Sequence, residues 1–198
     1  MGIDPNILAM IDELDGLRNQ RDDHWQVPRI EGQLLYQFAL IVRARLIVEV
    51  GTSYGFSGLF WAAALQSTSG KLHTIDLSQK KYDSSRQTFA KAKVQDVIVS
   101  HHGNALEVLP TIPDMIDIAF LDADKDMTQK YFDLVWPKVR PGGSVLTDNA
   151  TTHRKELSDF VAHVRSRKDA TSSEIPVGNG LEWTVKLPRQ TRHLSTFL

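Results

Sequence analysis

From Arg45 onward, short apolar runs alternate with segments of helical period, and this alternation constrains the fold more than any other feature. Residues 46–50, 72–75, 97–100, 116–121 and 144–147 read as buried strands. Residues 57–65, 80–92, 105–109, 127–135 and 155–167 read as the helices that follow them. Repeated β–α units need crossovers, which predicts a mostly parallel sheet with helices on both faces. Two late runs, 171–175 and 181–187, have only the turn 176–180 between them, which predicts an antiparallel hairpin at one sheet edge. Ahead of the alternation, residues 5–19 carry Ile7, Leu8, Ile11, Leu14 and Leu17 at helical spacing, with Asp4 as N-cap and Pro5 at the first position. A polar link over 18–24 leads to a second helix over 31–42. The 198 residues fit one α/β domain with a substantial core, with N-terminal helices within 1–42 and a loose tail over 188–198.

Composition narrows the function classes. A net charge of −1 provides no global field toward nucleic acid or an anionic membrane. The absence of cysteine removes zinc–thiolate sites, disulfides and a thiol nucleophile, and it fits a reducing compartment. No basic region precedes an apolar core near Met1, so no signal peptide is expected. No apolar run approaches the ~20 residues that span a bilayer. The expected location is cytoplasmic.

Open α/β sheets bind ligands beyond the carboxyl ends of their strands. Here those ends carry Gly51, Asp76, Gly103, Asp122 and Asp148. The loop after the first strand, 49–58, is the richest. Its glycines allow a tight turn and close approach of a ligand to the backbone, although a lone G-x-x-x-G turn also serves simple packing. The loop has neither G-x-G-x-x-G nor the GK[ST] of a phosphate loop. A nucleoside cofactor without phosphates fits, and S-adenosylmethionine (SAM) is one. Asp76, 25 residues after Gly51, is suited to accept the ribose hydroxyls, while a helix N-cap is the alternative for it taken alone. Gly51, Ser57 and Glu49 would supply donors and a carboxylate to the amino-acid end, and Thr52 in the same loop is a further cofactor-binding candidate. Gly103, Asn104 and Ala105 would lie beside the adenine.

A second cluster runs from Phe120 to Lys125, and Asp148 and Asn149 follow 26 residues after Asp122. Carboxylates and an amide at strand ends offer hard oxygen ligands, which suit Mg²⁺, Mn²⁺ or Ca²⁺. Lys125, three residues past Asp122, is close enough to act as a base. Acidic residues also end strands and cap helices without further role, and Lys125 alone would read as a surface lysine. Among the histidines, His153 stands nearest this motif, while His101 and His102 follow a strand. Trp61, Trp136 and Trp183 read as core residues, and Trp25 lies in the polar link near the expected acceptor.

These residues resemble the metal-dependent class I O-methyltransferases of the caffeoyl-CoA and catechol type. The resemblance runs from about Glu31 to Lys186. It rests on Glu31-Gly32-Gln33-Leu34-Leu35, Glu49-Val50-Gly51 with Gly55-Phe56-Ser57, Asp122-Ala123-Asp124-Lys125, Pro141-Gly142-Gly143, Asp148-Asn149 and Pro176-Val177-Gly178-Asn179-Gly180. It implies a Rossmann-like, seven-stranded sheet, a homodimer, and N-terminal helices flanking the acceptor. Asp122, Asp148 and Asn149 match the metal ligands, and Lys125 matches the proposed base. Glu49, Gly51, Ser57, Asp76, Ala105 and Asp122 match positions around the cofactor, with Val27 near another. Phe56 stands where tyrosine is common, and Asn104 and Asn179 replace frequent aspartates. A long insertion after the Asn149 position, which covers the acceptor in relatives of the caffeoyl-CoA type, is missing here, so an open, shallow acceptor site is expected.

The expected reaction is cation-dependent methylation of a small aromatic vicinal diol. Two alternatives stay open: methylation of a hydroxylated RNA base, with Arg154, Lys155, Arg165, Arg167 and Lys168 as a local basic patch, and a non-catalytic SAM-binding dimer.

Overall fold

The computed structural model describes residues 2–18, 20 and 26–188. Among these, seven strands form one sheet in the order β3-β2-β1-β4-β5-β7-β6. They are β1 (Leu46–Val50), β2 (Lys71–Asp76), β3 (Ile98–His102), β4 (Ile116–Leu121), β5 (Val139–Thr147), β6 (Ala170–Ile175) and β7 (Leu181–Lys186). Strands β1 to β5 run parallel. β7 is antiparallel to both β5 and β6, so the expected hairpin exists with β7 on its inner side. The winding direction reverses between β1 and β4, which places a topological switch point there.

Helices α1 (Pro5–Leu17), α2 (Arg29–Ile41), α3 (Phe56–Thr68) and α4 (Gln79–Lys91) share one core with one sheet face. Helices α5 (Ala105–Val108), α6 (Thr128–Val135) and α7 (Ser158–Ser166) cover the other. Every residue of α3 from Phe56 to Leu65 is buried, as expected for a helix that is apolar all round and lies between other helices and the sheet. In α1 the expected cap is present: the Asp4 carboxylate accepts from the Asn6 N–H at 2.8 Å, and Pro5 opens the helix.

The boundaries move where tertiary pairing overrides local signals. β5 starts at Val139 rather than at Ser144, because the Pro141-Gly142-Gly143 stretch is absorbed as an irregularity between β4 and β5. β3 includes His101 and His102, which pair with Ile75 and Asp76 instead of following the strand. The His101 ring stacks on His73, with ring nitrogens 3.1 Å apart, and burial lowers the pKa of both. α7 starts at Ser158 rather than Lys155, because Ala150 and Thr151 donate their N–H groups to Gly180 and Asn179. Trp61 and Trp136 are buried, and Trp183 packs half-buried against Phe38. Trp25, most of the polar link and the tail beyond Pro188 lie outside the described residues.

Candidate active site

The strand ends are stitched together across the sheet. Gly103 donates its N–H to Asp76 O at 3.0 Å, Gly51 to Ile75 O at 2.9 Å, Asp122 to Val50 O at 2.9 Å and Asp148 to Leu121 O at 3.0 Å. Gly103, Asp76, Gly51, Asp122 and Asp148 therefore form one row along the carboxyl edge. All five line a cavity of about 940 Å³, a size suited to a small-molecule ligand. The row has two poles. Glycines and Asp76 occupy the β1–β2–β3 end, and carboxylates occupy the β4–β5 end.

At the first pole, the loop after β1 is held in shape by Asp76. Its Oδ2 accepts from Ser53 N at 2.8 Å and its Oδ1 from Ser78 N at 2.9 Å. These backbone bonds leave further lone pairs on each oxygen for a ligand. Ser53 sits at φ +48°, and its buried hydroxyl has no hydrogen-bond partner. Gln26 donates to Leu14 O at 3.2 Å, while its buried Oε1 is unpartnered. Both residues line the cavity, as do Ala105 and the exposed side chain of Leu77. Unpartnered polar atoms, a carboxylate and an apolar wall fit a nucleoside with a zwitterionic tail.

Glu49, Thr52 and Ser57, expected around the cofactor, are buried beneath the loop and are not on the cavity wall. Val27 is likewise buried behind it. Strand alternation turns Glu49 toward α3. Its carboxylate accepts from Thr74 Oγ1 at 2.6 Å and from Trp61 Nε1 at 3.1 Å, and the Thr74 hydroxyl also meets Thr52 Oγ1 at 2.6 Å. Burial raises the Glu49 pKa to about 7, against these hydrogen bonds. The unfolded carboxyl titrates near 4.5, so the folded state holds the proton more tightly. Glu49's contribution to stability is therefore complete below about pH 4.5 and is lost as pH rises through about 7, a change of roughly 3 kcal/mol. Thermal melts of the wild type and Glu49→Gln across that window should diverge, with the wild type falling relative to the variant. Parallel curves would contradict the assignment.

At the second pole, Lys125 Nζ donates to Asp122 Oδ1 at 3.2 Å. Asp148, almost fully buried, accepts from Asn149 N at 2.6 Å and from Asn179 Nδ2 at 3.2 Å. Asn149 is left-handed, at φ +68°, and its amide donates to Thr152 Oγ1, which leaves its Oδ1 as an acceptor for a ligand. His153 lines the cavity too, with Nδ1 3.1 Å from Thr152 Oγ1.

The chain pattern gave Glu31 no role, yet it belongs to this pole. It is fully buried, its carboxyl lies beside Asp148, Oε2 accepts from Asn179 N at 2.9 Å, and Oε1 has no hydrogen-bond partner. Burial, and then the Asp148 charge, push the Glu31 carboxyl far above its usual range. Asp122 is raised by the same two causes, opposed by Lys125. Among the described residues, no three His, Asp or Glu side chains stand ready as a metal cluster. The expected set has two carboxylates and one amide. Asp122, Asp148 and the Asn149 amide oxygen supply oxygen donors only, and with the Glu31 carboxyl crowding Asp148 and Lys125 beside Asp122 the pole is short of positive charge, which fits a hard divalent cation.

The basic patch is largely neutralised. Arg154 pairs with Glu174, Arg165 with Glu182, and Arg167 with Asp169. No described helix is long and apolar enough to cross a membrane.

Comparison with known proteins agrees with this layout. A catechol O-methyltransferase from Mycobacterium tuberculosis is 29% identical over 155 residues, covering 75% of this chain and 66% of its own length. Caffeoyl-CoA O-methyltransferase 2 from Zea mays is 33% identical over 175 residues, covering 76% and 66%. The chain thus spans just under two thirds of the length of these curated relatives. The structure of the O-methyltransferase TomG from Streptomyces achromogenes, in complex with SAM, superposes with a TM-score of 0.82 at 25% identity, covering 95% of this chain and 93% of that one. A family model described as a methyltransferase domain matches residues 48–150, from β1 through Asp148 and Asn149, and the chain belongs to that family.

Proposed function

We propose that this chain transfers the methyl group of S-adenosylmethionine to one hydroxyl of a small aromatic vicinal diol, with a divalent cation bound by Asp122, Asp148 and Asn149. The juxtaposition of a nucleoside-type pole and an oxygen-rich pole in one cavity carries this reading. The relatives that bear catechol and caffeoyl-CoA O-methyltransferase names support it. SAM supplies an electrophilic methyl group, and a cation on the three oxygen ligands supplies positive charge that favours ionised, chelating hydroxyls. The protein's own part is to orient and deprotonate. Asp76 and the loop it pins hold the cofactor at β1–β2–β3. Lys125, in its amine form, takes the proton of the hydroxyl that is methylated. Residues 150–152 hydrogen-bond to Asn179 and Gly180 within a run of turns, which supports the reading of an open acceptor side.

An acceptor screen with labelled SAM, with and without EDTA, tests the reading. Catechols should be methylated only with Mg²⁺ or Mn²⁺ present, while monophenols and transfer RNA stay unlabelled. Labelling of transfer RNA alone would replace the diol with a nucleic-acid substrate. Lys125→Ala should lower kcat by about a hundredfold or more, the usual worth of a positioned base, with cofactor affinity near wild type. Raising the pH should restore part of the rate. A change confined to KM would make Lys125 a binding residue.

A further inference from the structure

Two segments to which the proposed reaction gives no part meet at Asp148. One is the Glu31-Gly32-Gln33 stretch on α2, and the other is the 176–180 turn, 148 residues further along at the Glu31–Asn179 contact. Glu31 Oε2 accepts the Asn179 backbone N–H at 2.9 Å, and the Asn179 side chain donates to Asp148 Oδ2 at 3.2 Å. The contact is tight. Gly178, at φ +65°, lies directly on Glu31, where a Cβ would overlap Oε2. On its other side the turn is fastened to the segment after Asp148, because Asn179 O accepts from Thr151 and Thr152 N–H at 3.1 Å each and Gly180 O from Ala150 at 2.9 Å. Asp148 Oδ1 accepts from its own neighbour, Asn149 N, and the Asn179 amide donates to the second oxygen, so the two donors together set the carboxylate plane. Glu31 has no solvent exposure and cannot swing away, and its buried Oε1 has no hydrogen-bond partner.

Building on the cation site proposed above, we propose that Glu31 is a positioning residue. Acting through Asn179, it sets the Asp148 carboxylate in the orientation that binds the cation. Groups that orient metal ligands typically contribute about 10–100-fold to metal affinity.

The test is equilibrium binding of Mn²⁺ to the full chain, followed by electron paramagnetic resonance or calorimetry, with affinity for S-adenosylhomocysteine measured alongside. Glu31→Ala should weaken Mn²⁺ by about tenfold or more while the nucleoside affinity holds, since the two poles are separate. Glu31→Gln should restore most of the loss, because its carbonyl still accepts from Asn179 and its amide can donate to Asp148. Asn179→Ala removes only the side-chain contact with Asp148, so it keeps the test available should Glu31→Ala fail to fold. It should weaken Mn²⁺ to a similar degree, and the double variant should lose little more. Unchanged Mn²⁺ affinity in Glu31→Ala and Asn179→Ala would overturn the proposal. So would parallel loss of Mn²⁺ and nucleoside binding, or a Gln variant as weak as the Ala variant. A wild-type protein that binds no Mn²⁺ would instead remove the cation site itself.

Discussion

Asp148→Ala is expected to reduce methyl transfer to a vicinal diol by about a thousandfold or more and to remove the response to Mg²⁺, because chelation both ionises and anchors the acceptor. The substitution acts at one pole only. It leaves Asn149 N and Asn179 Nδ2 without their acceptor, a cost of about 1–3 kcal/mol for each group that stays buried. It also removes the charge that raises Asp122 and Glu31, so both carboxyls should titrate closer to the ordinary range. Part of the stability loss is therefore offset. The cofactor pole, built on Asp76 and Gly51, is untouched. Steady-state rates with and without EDTA, together with calorimetry for S-adenosylhomocysteine, check this. Weak but still cation-dependent turnover would mean that Asp148 supports the site without anchoring the ion.

Gly51→Ala is expected to damage the whole molecule. Gly51 sits at φ +103°, a backbone conformation that costs an L side chain about 1–3 kcal/mol. An added Cβ would also overlap the carbonyl oxygen and carbon of Asp122, in the backbone immediately after β4. Backbone does not yield as a flexible side chain does, so β1 and β4 must separate where the two poles meet. A loss of about 3 kcal/mol or more follows from strain and overpacking together, with nucleoside binding lost in parallel. Gly103→Ala is the control. It shares a positive φ, +143°, but its Cβ would meet only Val108 Cγ2 at 3.9 Å. Its Tm should fall less. Equal losses would show that strain alone sets the effect at Gly51.

The row of strand ends was legible in the sequence because its signals are local. An apolar run closed by Gly or Asp marks a strand end wherever the strand goes, and parallel winding brings such ends to one edge. Gly51, Asp76, Asp122 and Asp148 therefore fall where their pattern places them. Which way a residue faces was less legible. Glu49 lies in an apolar strand, and only alternation with Val48 and Val50 separates its α3-facing side from the cavity. Glu31 belongs to a motif of the resemblance, but its role was not legible. An acid in the first turn of a helix ordinarily serves the helix dipole, and nothing local foretells a contact with Asn179. The late start of α7 has the same origin: residues 150–152 form their hydrogen bonds with the distant turn at 179–180 rather than within a helix.

The most direct measurement follows methyl transfer from labelled SAM to catechol and to its singly methylated product, each in Mg²⁺ and in EDTA. The two acceptors share a ring and differ in whether two free adjacent hydroxyls are available. Catechol in Mg²⁺ should be the one fast combination, with the other three near background. Equal rates for catechol in EDTA, or equal rates for the two acceptors in Mg²⁺, would contradict a cation that chelates a vicinal diol at Asp122, Asp148 and Asn149.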